Sequence, residues 1–185
     1  MQKMNRVQGI ILVILLALLI FLGAMILYQR FSADYEELPQ NEQISEQMAP
    51  AFTVYDEDGQ EVKLEDFSGQ PVVINCWASW CMPCMVEMPY FQAAYEAYGD
   101  DVAFLMVDMN AYGNDTKEAA QKAIEEGGYT FPVYYDDDAS LALAYSISAT
   151  PSSIFVDKEG QLVAYHTGTL SEEKLETYLL ALLEE

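Results

Sequence analysis

Apolar residues in this chain fall into one long block and a series of short ones. Gly9–Tyr28 is a run of 20 residues without a charge. At a helical rise of about 1.5 Å per residue, such a run can span a bilayer core of about 30 Å. Phe31–Pro50 is polar and acidic, has no apolar period, and reads as a tether. Beyond it, apolar runs of strand length alternate with longer segments. Ala51–Tyr55 and Val62–Leu64 flank the turn residues Asp56-Glu57-Asp58-Gly59 and predict a hairpin. Pro71–Trp77 and Val102–Asp108 are near-continuous apolar runs, the mark of strands covered on both faces. Met82–Tyr98 predicts a helix kinked at Pro89, and Thr116–Glu126 a helix stopped by Gly127-Gly128. A short strand at Phe131–Tyr135 and a short helix at Ala139–Tyr145 come next. Ser152–Asp157 and Leu162–His166 form a hairpin around Lys158-Glu159-Gly160, and Ser171 caps a closing helix to Leu183. This order predicts one α/β domain with a mixed central sheet and helices on both faces. The chain divides into residues 1–30, a short stub and transmembrane anchor, residues 31–50, the tether, and residues 51–185, the domain.

Charge orients this arrangement. Lys3 and Arg6 precede the long apolar block, whereas all 30 acidic residues and only five Lys/Arg lie in residues 31–185, a net of −25. The positive-inside rule then places the N-terminus in the cytoplasm and the domain outside a single-pass anchor. A cleaved signal peptide is the alternative. Its apolar region is shorter, about 7–15 residues, with a small-residue site after it, and Ser32-Ala33 fits that site poorly. So acidic a domain excludes nucleic acid, which requires cationic contacts to phosphate. It reads as a solubilising surface, with a basic partner as the sharper alternative.

Chemistry enters at Trp80-Cys81-Met82-Pro83-Cys84, between an apolar strand and a helix. Two intervening residues let the sulfurs meet across the first helical turn. Unpaired N–H groups and the helix dipole favour thiolate there, which makes Cys81 the exposed, attacking thiolate and Cys84 the resolving thiol. The same spacing also serves zinc sites and inert disulfides. Zinc normally takes four ligands, and this chain can offer Cys76, Cys81, Cys84 and His166. The strand–C-x-x-C–helix context favours the redox reading. Cys76, inside the strand, reads as a small core hydrophobe, with a regulatory thiol as the alternative. Glu87 falls within one turn of Cys84, where a partly buried carboxyl could exchange protons with the thiols, unless it simply lies on a solvated face.

Val73-Ile74-Asn75-Cys76-Trp77-Ala78-Ser79-Trp80-Cys81-Met82-Pro83-Cys84, with Glu87-Met88-Pro89 after it, resembles the active-site strand and turn of the thioredoxin superfamily. The W-C-x-P-C-x-x-E-x-P string is similar to the membrane-anchored thiol–disulfide oxidoreductases of the TlpA/ResA type, over roughly residues 48–185. The resemblance implies a thioredoxin-like fold with a helix-and-strand insertion within Asn110–Tyr135. It implies a cis bond at Thr150-Pro151 facing the dithiol, with Thr150 offering backbone groups to an extended substrate. Trp80, Met82 and Pro83 complete the expected substrate contacts. Cytoplasmic thioredoxins often carry a buried Asp where this chain has Asn75, so Glu87 takes the proton-transfer role. No cofactor or metal is implied. The implied activity is reduction of extracytoplasmic protein disulfides, for example in cytochrome c maturation, with electrons from a membrane donor. The residues themselves leave the direction of electron flow open.

Two other classes share the fold. Copper-handling proteins of the Sco type carry C-x-x-x-C and a distal His, and Met82, Met85 and Met88 could supply soft sulfur for Cu(I). Methionine more often fills gaps or lines adaptable surfaces. Peroxiredoxins set their reactive Cys in a P-x-x-x-[TS]-x-x-C context that is absent around Cys81. His166 reads as a strand-end residue without a catalytic role.

Overall fold

The computed structural model of this chain describes residues 15–19, 21–23, 25, 47–113 and 115–184. It divides into two units, Met1–Gln40 and Asn41–Glu185. In the first, every described residue is helical. No helix among the described residues is long and apolar enough to cross a membrane. The flanks of Gly9–Tyr28, the preceding stub and residues 31–46 of the tether lie outside the described residues.

The second unit is built on a seven-stranded sheet of order β2-β1-β5-β4-β3-β6-β7. The strands are β1 (Thr53–Tyr55), β2 (Glu61–Lys63), β3 (Val72–Trp77), β4 (Ala103–Asp108), β5 (Val133–Tyr135), β6 (Ser152–Val156) and β7 (Leu162–Thr167). The helices are α1 (Met82–Tyr98), α2 (Asn110–Gly113), α3 (Lys117–Gly127), α4 (Ser140–Ala144) and α5 (Glu172–Leu183). β3 runs parallel to β4 and antiparallel to β6, and β4 runs parallel to β5. The sheet is therefore mixed, and α3 with β5 supplies the insertion that the resemblance implies.

β3 and β4 are buried at every position, as their unbroken apolar runs require. Alternation along β3 divides the core. Val73 and Trp77 face a cluster with Phe91, Phe104, Phe155, Leu175 and Leu179, whereas Val72, Ile74 and Cys76 face one with Val54, Leu105, Leu141 and Ile154. Asn75 shares the parity of Val73 and Trp77.

Helix ends follow their capping chemistry. The Thr116 hydroxyl accepts the Ala119 N–H at 3.2 Å, and α3 ends at Gly128 with φ +68°, a left-handed cap that glycine adopts without strain. Ser171 caps α5 through the Lys174 N–H. α1 continues through Pro89 as one element, with the ring on its exposed side.

Differences from the sequence reading lie at the domain's edge. Leu64 opens a 3-10 turn, Leu64–Phe67, instead of ending β2. The end of the segment read as tether joins the domain: Met48 bridges Gln161, the Ala49 N–H donates to the Gly160 carbonyl, and the Leu162 N–H donates to the Gln47 carbonyl. Those residues carry no apolar period; backbone pairing holds them, with Ala49 packed against the core.

Phe91 is fully buried where α1 meets the sheet. Phe91→Ala should cost about 3–5 kcal/mol of unfolding free energy, through lost burial and the cavity left behind. Urea denaturation of the wild type and the variant measures it. A loss under about 1 kcal/mol would show that α1 contributes little to the core through this face.

Candidate active site

The site lies at the end of β3. Beyond Trp77 the chain turns, and the Cys81 N–H closes the turn on the Ala78 carbonyl at 3.0 Å. Cys81 then becomes the N-cap of α1, in extended conformation, and its Sγ accepts the Cys84 N–H at 3.3 Å. Pro83 occupies the first turn, where a missing N–H costs nothing. Cys81 and Cys84 form a disulfide with Cα atoms 5.3 Å apart.

Exposure corrects one expectation. Cys81 is only 3% exposed in this disulfide, and Cys84 is fully buried. The order of accessibility stands, but the exposed surface comes from neighbours: Trp80 is 58% and Met82 73% exposed, and Val86 is exposed beside them. Met82, Met85 and Met88 do not form one sulfur cluster, because Met88 is in the core and Met82 in solvent. Cys76 lies in the core, and burial pushes its thiol well above the ordinary value.

α1 buries Cys84, Glu87, Met88, Phe91 and Ala94, one stripe of a 3.6-residue period. Glu87 sits within that stripe and is completely buried. Its Oε1 accepts the Asn75 amide at 2.8 Å, and its Oε2 accepts the Leu170 N–H at 2.7 Å. The Asn75 amide also donates to the Ser153 hydroxyl at 3.1 Å, across the β3–β6 register. Burial lifts the Glu87 carboxyl to about 7, against the lowering pull of the Leu170 and Asn75 bonds. A group poised there can hold or release a proton near neutral pH.

The Thr150-Pro151 bond is cis. Ser152 pairs with Cys76, so Pro151 lies at the same end of the sheet as the Ala78–Cys81 turn. Its carbonyl accepts the Gly168 N–H at 2.9 Å. His166 lies within β7.

Sequence reasoning did not single out Ser153, the Leu170 N–H or Asp108. Ser153 and Leu170 belong to elements far along the chain, and a backbone donor has no residue signature. Asp108 reads as the last residue of an apolar strand. It is completely buried, and burial first, then the neighbouring Asp115, lifts its carboxyl to about 8.

The Redoxin family profile matches residues 44–179. Thiol-disulfide oxidoreductase ResA of a Bacillus cereus strain is 34% identical over 181 residues, covering 96% of this chain and 97% of the relative. ResA of Bacillus subtilis (strain 168) is 29% identical, covering 97% and 94%. Among solved structures, StoA from Bacillus subtilis superposes with a TM-score of 0.60 at 25% identity, covering 70% of this chain and 96% of that one.

Buried acids with raised pKa values, Glu87 and Asp108 together with Asp136, set the sign of the domain's pH dependence. The native state holds the Glu87 proton more tightly than the unfolded chain, whose ordinary value is 4.5. The stabilisation is fully present below that value and is lost as pH rises through about 7; Asp108 acts likewise up to about 8. The urea midpoint should therefore be higher at pH 5.5 than at pH 8.5. Glu87→Gln and Asp108→Asn should each flatten part of that fall. Variants that keep the full wild-type slope would mean that these carboxyls titrate normally in the fold.

Proposed function

This chain belongs to the Redoxin family, and we propose that it is a membrane-tethered extracytoplasmic enzyme that reduces disulfides in protein substrates. Its class, thiol–disulfide oxidoreductase, is that of its ResA relatives. The observation that carries the reading is the Cys81–Cys84 disulfide at the N-terminus of α1, above a buried carboxyl poised near neutral pH.

In the reduced domain, the Cys81 thiolate attacks one sulfur of a substrate disulfide. A Cys81–substrate disulfide forms, and the other substrate sulfur leaves as thiolate. Cys84, deprotonated, attacks the Cys81 sulfur, closes the internal disulfide and releases the second substrate thiolate. Two electrons pass from the dithiol to the substrate. The helix N-terminus and the Cys84 N–H stabilise the attacking thiolate. Glu87, one turn along α1 from Cys84, takes the proton that Cys84 sheds. Trp80, Met82 and Pro83 form the apolar rim that receives the substrate. Thr150, before the cis Pro151, presents backbone to an extended segment.

The uncharged run Gly9–Tyr28, with Lys3 and Arg6 before it and all the acids after it, supports a single-pass anchor with the domain outside the cell membrane. An oxidised domain needs electrons from inside, so a membrane protein that carries them across is its donor. Cytochrome c maturation, with haem-site cysteines as clients, is the proposed setting.

Cys84→Ser should accumulate mixed disulfides with client proteins through Cys81, resolved by reductant on a non-reducing gel. Cys81→Ser should accumulate none. Trapping by Cys81→Ser instead would reverse the two roles. Protease added outside intact cells should release a soluble domain; protection until lysis would place the domain in the cytoplasm and remove the relay.

A further inference from the structure

Among the described residues, one side chain outside the turn that carries Cys81 hydrogen-bonds to its backbone. Ser79, two residues before Cys81, donates its N–H to Asp115 Oδ2 and its hydroxyl to Asp115 Oδ1, the latter at 2.6 Å. Asp115 belongs to the inserted segment and immediately precedes Thr116, the cap of α3, whose N–H it also accepts at 3.0 Å. Both Ser79 donors end on one carboxylate, and bonds to an ionised acceptor are roughly twice as strong as neutral ones. Elsewhere the turn is tied by the Cys81 N–H to the Ala78 carbonyl, by the Met109 N–H to the Trp77 carbonyl just before it, and by the burial of Ala78 and Cys81 in the core. Among the described residues, Asp115 is the side chain that hydrogen-bonds Ser79 to the body of the domain.

The surroundings favour this clamp. Asp108 lies at the level of Trp77 in the β3–β4 register, completely buried, with the Asp115 side chain within hydrogen-bonding reach. Burial, together with Asp115 and Asp137, holds it neutral near pH 7, and Lys117 opposes that shift. Lys117 is itself paired with Asp137 at 2.7 Å, and the Asn110 amide donates to the same carboxylate. Asp115 presents both its oxygens to the two Ser79 donors beside this buried acid.

We propose that Asp115 is a positioning residue for exchange at Cys81, acting through Ser79 to keep Cys81 Sγ at the N-terminus of α1. The proposal rests on reading Cys81 and Cys84 as the exchanging pair. It gives the inserted segment a role in the chemistry, because the residue ahead of α3 anchors the turn ahead of the dithiol.

Two effects of losing Asp115 have opposite signs. A freed turn lets Cys81 drift from the Cys84 N–H and the helix N-terminus, which raises its pKa. Loss of the carboxylate charge alone lowers it. Ser79→Ala breaks one clamp bond and leaves the charge; Asp115→Asn removes the charge and turns one acceptor into a donor facing Ser79.

The experiment uses the reduced full-length chain and follows iodoacetamide labelling of Cys81 against pH, by mass spectrometry. Reduction of insulin disulfides is measured in parallel. Ser79→Ala and Asp115→Asn should both move the labelling midpoint upward and slow labelling at pH 7 by about threefold or more. Ser79→Thr, which keeps both donors, should match wild type. If Asp115→Asn does not fold, the Ser79 pair carries the test. Unmoved profiles in Ser79→Ala and Asp115→Asn, with an active wild type, overturn the positioning role alone. So does a downward shift in Asp115→Asn with Ser79→Ala unmoved. A wild type with no reactive Cys81 and no insulin reduction overturns both the role and the functional reading beneath it.

Discussion

A carboxylic acid inside the core dictates most of the geometry around the disulfide. Glu87 lies on the buried stripe of α1, where a polar group without partners would cost several kcal/mol, on the order of 2–7. Its two oxygens are satisfied from opposite directions, by the Asn75 amide on β3 and by the Leu170 N–H ahead of α5. Central strand, first helix and closing helix are thereby held in one arrangement. The same loop reaches further, because Gly168 donates its N–H to the Pro151 carbonyl. Gly168 has φ +102°, a backbone conformation that suits glycine. The three residues from Gly168 to Leu170 thus connect the cis proline to the acid beneath the dithiol.

Burial also resolves a conflict set by composition. A chain of net charge −22 is a poor place to form a thiolate, since each nearby carboxylate opposes it. No cation takes part in the hydrogen bonds described at Cys81; its sulfur is met by a backbone N–H at the start of a helix. Two acids near the turn in the fold, Glu87 and Asp108, are shifted toward their neutral forms by desolvation. The acidic character is kept at the surface, where water screens it. Asp115, also near the turn, accepts two donors from Ser79 on its carboxylate.

Legibility in the sequence tracked the range of the interactions. β3 and β4 were readable because continuous apolar runs require burial on both faces, and α1 and α3 because caps are local chemistry. Cys81, Cys84 and Glu87 were readable because they share one short motif. The remaining features depend on contacts between distant segments. Ser153 joins the Asn75–Glu87 network only through the β3–β6 register, and Ser79 meets Asp115 from 36 residues away. Residues 47–49 join the domain through backbone pairing and the packing of Ala49, neither of which leaves an apolar period, so composition assigned them to the tether. The three methionines looked like a cluster because spacings of three keep them near one another along the chain. One helix turns them to different surroundings, which separates Met88 from Met82.

The near-burial of the disulfide bears on how exchange proceeds in both directions. Cys84 presents no surface in the oxidised form, while Cys81 presents 3% of its own. A donor thiolate must approach in line with the S–S bond, so it meets the sulfur of Cys81 and expels that of Cys84. In the proposed cycle the reductive half-reaction then passes through a Cys81 mixed disulfide, as does the attack on a client. On the proposed reading one sulfur serves both partners, and the exposed rim of Trp80, Met82 and Pro83 receives them in turn. So narrow an opening admits a cysteine on an extended segment more readily than one inside a packed domain. Selection among clients is in this view largely steric: the site reads whether a disulfide can be brought to the turn, and the apolar rim supplies the affinity.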